Sequence, residues 1–594
     1  MSKKVLLLLI IIISLAAFLR FYKLSEVPPG INRDESSIGF TAYSLLKTGK
    51  DEYGRPFPVS FQSFGDWKLP LYIYSVVPLV SLLGLNEWAV RLPSAFFGTL
   101  TVLITFLLVR ELFSNRGPTL NKMPNNTEII ALLTSFLVAI APWHLHLSRV
   151  ESESNTAVFF IALATLLFLK SVVFSSSISS TKGGENKRSP FPRGERDRVK
   201  VKTWLLIPSA ILFALSYFTY AGNHVFTSLL VLGLLFLYRK EIPKTKITAI
   251  AAVLFLLLSG FLFYHTLVGA DKTKLSGINI LGDPAVVHLK IELLRNEHQN
   301  PQSVLSILTH NKILFAAERI VQNYLNAFSP EFLFIKGGEN HAHNILNFGN
   351  MYLVEAPFLF LGFIYLLTVL KGKEKLLIVW WFLIAPIAAS ITKDAPHTNR
   401  MFAIFPMLPL VTALGIYWLV AVYFRNKSYR LITVGIVIVL FMVNFVIYMD
   451  RYYIHFPRDE VAGWGNGYKE LNKVLISSPY NVKHIIMNKP EYSPYSFLLF
   501  YQQYDPSTYQ KESISYPITD DGFVHVKEFG RYEFRDIDWG QDTQRLNTLL
   551  IDQTNQVPEF VKNTYPVKEI KLPNGKPMFT IVESIPPEQR IATK

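Results

Sequence analysis

The 594-residue sequence contains no cysteine. Disulfides, cysteine–metal sites and thiol nucleophiles are thereby excluded, and the compartment has to be read from the order of its hydrophobic segments. Charge is also scarce. Only 17% of residues are charged, against 50% hydrophobic and 14% aromatic. That is too apolar for a soluble chain of this size, and several runs exceed the roughly 18 apolar residues that mark a membrane span. A convincing small-x-small cleavage site is missing after the first hydrophobic run, Val5 to Phe18; the nearest stretch is Ser14 to Phe18. The run is therefore read as an uncleaved first span rather than a signal peptide. No clear internal repeat is present, and few ionisable residues fall inside the spans, whereas ion-coupled carriers usually keep some at mid-membrane.

What is present is a net charge of +15. The basic residues sit in short loops between spans, where orientation in a membrane accounts for them better than nucleic acid does. Lys3 and Lys4 place the N-terminus in the cytoplasm. Spans are expected at about 4–22, 92–112, 128–143, 155–174, 203–220, 224–238, 246–264, 351–370, 376–391, 401–424 and 431–449. These are about eleven crossings, with basic short loops inside and long polar loops outside. The apolar stretch 69–85 is short and holds Pro70 and Pro78. It is read as a juxtamembrane or partly inserted helix, because that choice leaves Arg110, Arg116 and Lys122 in the cytoplasm. Arg20 and Lys23 read as interfacial anchors, and Ser36 to Leu46 as an amphipathic helix in the interface. The Ser-rich, basic loop 175–202 reads as a disordered cytoplasmic linker. Residues 450–594 are soluble in character. Strands are expected at Lys483 to Met487 and Thr548 to Asp552, helices at Ser496 to Tyr504 and Pro558 to Lys562, and a hairpin around Asn574-Gly575. The fold class is thus mainly α: a polytopic membrane helical bundle with juxtamembrane helices, residues 1–450, and an extracytoplasmic α/β domain, residues 451–594.

Chemistry is expected in the external loops, 23–68 above all. Asp34 and Glu35 follow directly on the first span, and ionisable groups bordering a bilayer are functional candidates. A carboxylate there can act as a general base toward an acceptor hydroxyl or amine; equally, Asn32 or Asp34 can cap a helix. Lys68, next to Asp66 and an apolar Pro-containing segment, suits a lipid phosphate, or simply snorkels. Glu151 and Glu153 are two apart at the mouth of a span, with Arg149 beside them. They can bind a hard divalent cation or orient a sugar hydroxyl, or favour a helix N-terminus. Asp394, His397 and Arg400 cluster before the tenth span, with Arg400 a candidate phosphate clamp or an interface anchor. His144 with His146, and His341 with His343, lack a clear third zinc ligand.

Together these residues resemble the GT-C class of membrane glycosyltransferases, nearest the protein O-mannosyltransferase and lipid A aminoarabinose transferase branch (glycosyltransferase family 39-like). The motifs that carry the likeness are Asp34-Glu35, Asp66-Trp67-Lys68 with the Leu-Pro-Leu-Tyr72 that follows, Glu87 to Ala95, and Ser148-Arg149 followed by Glu153. The likeness covers roughly residues 1–240 well, the later spans loosely and the tail hardly at all. It implies a GT-C fold and transfer of a sugar from a polyprenyl-phosphate donor. Asp34, with Glu35 beside it, would be catalytic. Lys68, with Arg400 and His397, would hold the donor phosphate. Asp66, Glu151 and Glu153 would form a second acidic site, with Mg or Mn as a possible cofactor. In-line attack would invert the anomeric carbon. The chain departs from the pattern in having Asp66 and Lys68 separated by Trp67 where aminoarabinose transferases have adjacent Glu-Lys. It also has Glu-Ser-Glu at 151–153 rather than the Asp-containing form of metal-dependent oligosaccharyltransferases. Partners would be the lipid-linked donor, an acceptor protein, lipid or glycan, and the bilayer of the plasma (inner) membrane. The alternative reading is a lipid or sugar transporter or flippase.

Overall fold

The structure is a computed structural model that describes all residues except 65, 115–126, 180–201, 269–278, 341, 425, 461, 478–481, 489–491, 520–522 and 585–594. Arg116, Lys122, His341 and most of the basic loop 175–202 therefore lie outside the described residues. The chain divides into two units, one formed by 1–21, 94–148 and 152–448, the other by 22–93, 149–151 and 449–594. Residues 22–93, which the sequence reading grouped with the membrane half, cluster with the C-terminal segment.

The first unit is helical. Apolar helices follow one another in the order read from the sequence: Lys3–Phe21, Thr127–Ile140, Glu153–Ser179, Leu206–Tyr217, Asn223–Leu237, Lys246–Val268, Glu355–Thr368, Lys373–Ile384, Met407–Tyr417 and Lys427–Asp450. Glu87–Ser114 also belongs to the series and begins in the second unit. Among the described residues five helices are long and apolar enough to cross a membrane, or six if the bent pair 398–404 and 407–421 is one span. The chain is accordingly a multi-pass membrane protein. Two glycines set one of its packings. A Cβ on Gly362 would overlap the Val411 carbonyl oxygen, and one on Gly415 the Phe358 carbonyl oxygen. Helices Glu355–Thr368 and Met407–Tyr417 therefore meet backbone to backbone, as small residues allow in apolar surroundings. Arg20 is not the expected interfacial anchor. It is fully buried and donates to the carbonyls of Val138 and Ala139, at 3.2 and 3.0 Å. Those are carbonyls that the end of helix Thr127–Ile140 leaves without intrahelical donors.

The second unit is built on a seven-stranded sheet. The strands are β3 (His484–Met487), β4 (Ile514–Ser515), β5 (Val526–Phe529), β6 (Tyr532–Phe534), β7 (Thr548–Gln553), β8 (Val567–Lys571) and β9 (Pro577–Glu583), in the order β4-β5-β6-β3-β7-β9-β8. β3 runs parallel to both its neighbours, β6 and β7, and the other pairs are antiparallel. Period-two alternation sends Ile485, Met487, Leu549 and Ile551 to one face, where they share a core with Ile38, Phe40, Tyr72 and Val76. Ile486, Leu550 and Val582 go to the other, with Val557 and Val561. The segment 36–46 is thus helical as its spacing predicts, within Arg33–Thr48, but it is buried over most of its length instead of lying in an interface. The helix Pro70–Leu83 packs beside it through Tyr72, Ile73, Val76 and Val80. Pro70 stands at the first helical position, where no backbone N–H is required. A two-stranded hairpin, β1 (Phe61–Ser63) with β2 (Asp66–Lys68), joins the two helices.

Candidate active site

The site is organised by the start of the Arg33–Thr48 helix. Asn32 is its N-cap. Its side chain accepts from the Glu35 N–H at 2.8 Å, and the Glu35 carboxylate accepts from the Asn32 N–H at 3.1 Å. This capping box fixes the first turn. Successive residues on a helix diverge by about 100°, so fixing Glu35 inward turns Asp34 elsewhere. Glu35 is completely buried, whereas the Asp34 side chain is 40% exposed. The two adjacent carboxylates therefore differ in kind.

Glu35 is held on both oxygens. Arg91 donates to it through Nε at 2.8 Å and Nη2 at 2.9 Å, and the Glu151 backbone N–H donates at 3.0 Å. The same guanidinium reaches the carbonyls of Leu24, Pro28 and Gly30. Arg149 adds bonds to the carbonyls of Val27 and Lys23 and lies over the rings of Tyr452 and Tyr453. Two arginines thus tie down segment 23–30, which would otherwise leave buried carbonyls without donors.

Asp34 meets Lys68 at 2.7 Å. Lys68 closes β2, opposite Phe61, and its side chain is only 6% exposed. Phe64, between the two strands, sits at φ 38°. Its ring lies 4.2 Å from the Arg33 guanidinium and 5.7 Å from the Lys68 ammonium. One aromatic ring thereby contacts two cations, one of them paired with Asp34. Asp66 lies at the other end of β2, paired with Ser63.

A second acidic pair precedes the hairpin. The Asp51 carboxylate accepts from the N–H groups of Tyr53 and Arg55. Glu52 is buried, and burial, with the Asp51 charge second, pushes its carboxyl up to about 8.

The remaining candidates belong to the other unit. Glu153 opens the helix Glu153–Ser179. His397 caps the short helix Thr398–Met401, accepting from the Arg400 N–H, and lies 3.6 Å from Asp394. Burial first, then the neighbouring His343 and Arg400, holds its imidazole well below its ordinary pKa. The Arg400 guanidinium bonds Asp394 and the Thr392 hydroxyl. A small pocket, with room for little more than a water molecule, is lined by Trp143, His146, His343, Asn344 and Tyr448 among others. Among the described residues no group of three or more His, Asp or Glu is placed to hold a metal ion.

The structure brings together Asp34 with Lys68, and Glu35 with the Glu151 backbone, in one unit; Asp394, His397 and Arg400 meet in the other. Sequence reasoning missed three residues here: Arg33, Arg91 and Glu52. Arg91 stands four residues after Glu87 and so on the same helix face, but nothing local marks its partner as Glu35, 56 positions upstream.

No family model and no curated protein matches the chain. Among solved structures it is similar to ArnT from Cupriavidus metallidurans bound to undecaprenyl phosphate, at 11% identity and a TM-score of 0.48, over 98% of this chain and 99% of that one. It is also similar to the Archaeoglobus fulgidus oligosaccharyltransferase tethered with an acceptor peptide, at 13% identity and a TM-score of 0.49, over 84% and 63% of the two chains. A third is the archaeal oligosaccharyltransferase AglB from Archaeoglobus fulgidus in complex with an inhibitory peptide and a dolichol-phosphate, at 14% identity and a TM-score of 0.48, over 97% and 74%. At these values no residue role and no substrate passes from those proteins to this chain on the strength of the superposition.

Proposed function

We propose that the chain is a membrane glycosyltransferase that moves a sugar from a polyprenyl-phosphate donor to an acceptor on the external face, with Asp34 as general base. The observation that carries this reading is the division of labour at 34–35. Glu35 is locked between Arg91 and backbone N–H groups, while Asp34 is open to solvent and faces the Lys68 ammonium. Glu35 accordingly positions the turn rather than taking part in the chemistry.

A lipid-phosphate sugar brings its own leaving group. The protein has to place an acceptor opposite the phosphate, take its proton and stabilise the departing charge. The acceptor O–H or N–H proton passes to an Asp34 oxygen, and the freed pair forms a bond to the anomeric carbon. The bond from that carbon to the phosphate oxygen breaks, its electrons going to the phosphate. In-line geometry inverts the centre. Lys68 neutralises the leaving phosphate, with Arg33 on the same Phe64 ring as a second cation. Lys68 is paired with Asp34 in the structure, so a donor phosphate competes for the ammonium. As it draws the lysine away, it releases the carboxylate to act as a base. In the other unit Arg400 and His397 are engaged with Asp394, so an anion binding to them there would have to take its place. The topology that goes with this reading has about eleven crossings in the plasma (inner) membrane, with the N-terminus cytoplasmic and the tail outside. For a divalent cation, no group of three or more His, Asp or Glu is placed together among the described residues, and the proposed reaction uses the chain's own side chains.

The test is a transfer assay in isolated membranes with a panel of radiolabelled polyprenyl-phosphate sugars, comparing wild type with Asp34→Asn at matched expression. Label leaving one donor only in the wild type supports the reading. Label that crosses the bilayer untransferred, whatever residue stands at 34, favours the flippase alternative.

A further inference from the structure

Three consecutive short helices of the first unit, Pro284–Asn296, Val304–Thr309 and Lys312–Asn326, expose more large apolar side chains than a water-facing segment should. Val304 is 74% exposed, Leu305 and Leu308 64% each, Leu289 56%, Leu293 57% and Ile313 80%.

The last helix shows what such a surface is for. Placed at 100° per residue, its side chains fall into three sectors. The first is docked: Asn323 is buried and donates to the carbonyls of Ser390 and Thr392, both at 3.0 Å, with Ala327 buried just beyond. The second is exposed and apolar, formed by Ile313, Leu314, Ala317, Val321 and Leu325. The third is exposed and polar, formed by Arg319, Gln322 and Asn326, with Glu318 at its edge. A helix docked against another element and otherwise surrounded by water needs only two sectors. Three sectors are what a helix shows where protein, hydrocarbon and water meet.

Its position agrees. The Tyr324 hydroxyl donates to the Leu383 carbonyl at 2.9 Å, and Leu383 lies in the last turn of the apolar helix Lys373–Ile384. Ser390 closes the short helix Ile387–Ser390 that comes next in the chain, and Thr392 lies just beyond it. The segment is thus fastened at the end of an apolar helix, the level at which a bilayer surface runs. The exposed polar row of Arg319, Gln322 and Asn326 runs along one side of this helix, and a crossing would bury that row in hydrocarbon, so the helix lies along the surface. The preceding apolar helix, Lys246–Val268, exposes the same kind of surface through Leu256 and Leu257.

We propose that residues 284–326 form a lipid-docking surface. The apolar rows of the three helices are buried in the headgroup–acyl boundary, and the Arg319–Gln322–Asn326 row faces water.

The cysteine-free chain makes the test clean. Single variants Ile313→Cys, Val321→Cys and Leu325→Cys, with Gln322→Cys and Asn326→Cys as counterparts, are labelled with an environment-sensitive fluorophore. The full-length protein is then reconstituted into phosphatidylcholine vesicles. Quenching by phosphatidylcholine carrying a nitroxide near the headgroup is compared with quenching by aqueous iodide. The expected result is several-fold stronger nitroxide than iodide quenching at 313, 321 and 325, and the reverse at 322 and 326. Iodide dominating at 313, 321 and 325 overturns the proposal, because the face is then in water. Protection from both quenchers overturns it as well, because a protein surface then covers the face. Leu305→Cys, on the neighbouring helix, repeats the reading independently should one position perturb folding.

Discussion

Removing the Glu35 carboxylate tests the structural half of the site. Glu35→Ala deletes the acceptor of two Arg91 bonds and of the N–H groups of Asn32 and Glu151, and leaves a fully buried guanidinium without its counter-ion. Breaking a buried ion pair on one side destabilises by about 3–5 kcal/mol. Three carbonyls, those of Leu24, Pro28 and Gly30, still accept from Arg91, which argues for the lower half of that range. The unit concerned holds roughly 220 residues, for which 1 kcal/mol moves Tm by about 2–4 °C. The expected fall is therefore about 6–16 °C, read by thermal unfolding in detergent at fixed pH and salt. Arg91→Met together with Glu35→Gln removes both charges, and should recover part of the loss because no isolated buried charge remains. A Glu35→Ala shift below about 2 °C, or strictly additive single and double variants, would refute the reasoning.

Glu52→Gln should alter the pH profile of stability. The folded carboxyl is raised to about 8 from its usual 4.5, so the fold prefers the neutral acid. Stability then drains away as pH rises from about 4.5 through 8 and levels off above. The total is up to about 5 kcal/mol at about 1.36 kcal/mol per unit. The glutamine variant should match wild type near pH 4.5 and exceed it at pH 9; parallel Tm–pH curves would contradict this. Gly415→Ala should lower Tm more than Gly260→Ala, since the added methyl meets the Phe358 carbonyl at 415 and nothing at 260; equal shifts would speak against the close crossing. Lys68→Gln should weaken donor binding and leave the fold intact, because the Asp34 carboxylate left behind is 40% exposed and can be hydrated. An unchanged apparent KM for donor would remove Lys68 from the phosphate site. Chelation with EDTA should leave transfer unchanged, and loss restored by Mg or Mn would reinstate the cation.

The order of the helices was legible because hydrophobic length and loop charge are local signals. Val5–Phe18 and the basic turns around Lys240 and Lys371 need no partner to be read. The strands His484–Met487 and Thr548–Gln553 and the hairpin at Asn574-Gly575 were visible for the same reason. Short β5 and β6 were not, since three or four residues with charges among them carry too little period-two signal. The amphipathic look of Arg33–Thr48 misled for a physical reason: its polar residues, Ser36, Ser37 and Ser44, are buried against other polar groups instead of facing water. Asp34, Glu35 and Lys68 stood out as charges bordering a bilayer. That Glu35 belongs to Arg91, and Lys68 to Asp34, depends on contacts 56 and 34 residues apart, which no local pattern encodes.

The central claim is that Asp34 removes the acceptor's proton. Sugar transfer from the preferred polyprenyl-phosphate donor, measured for purified wild type and Asp34→Asn with matched Tm, tests it most directly. A positioned general base contributes about 10²–10⁴-fold. The account predicts a loss in that range with donor binding retained. An Asp34→Asn protein that keeps more than about a tenth of the wild-type rate would contradict it.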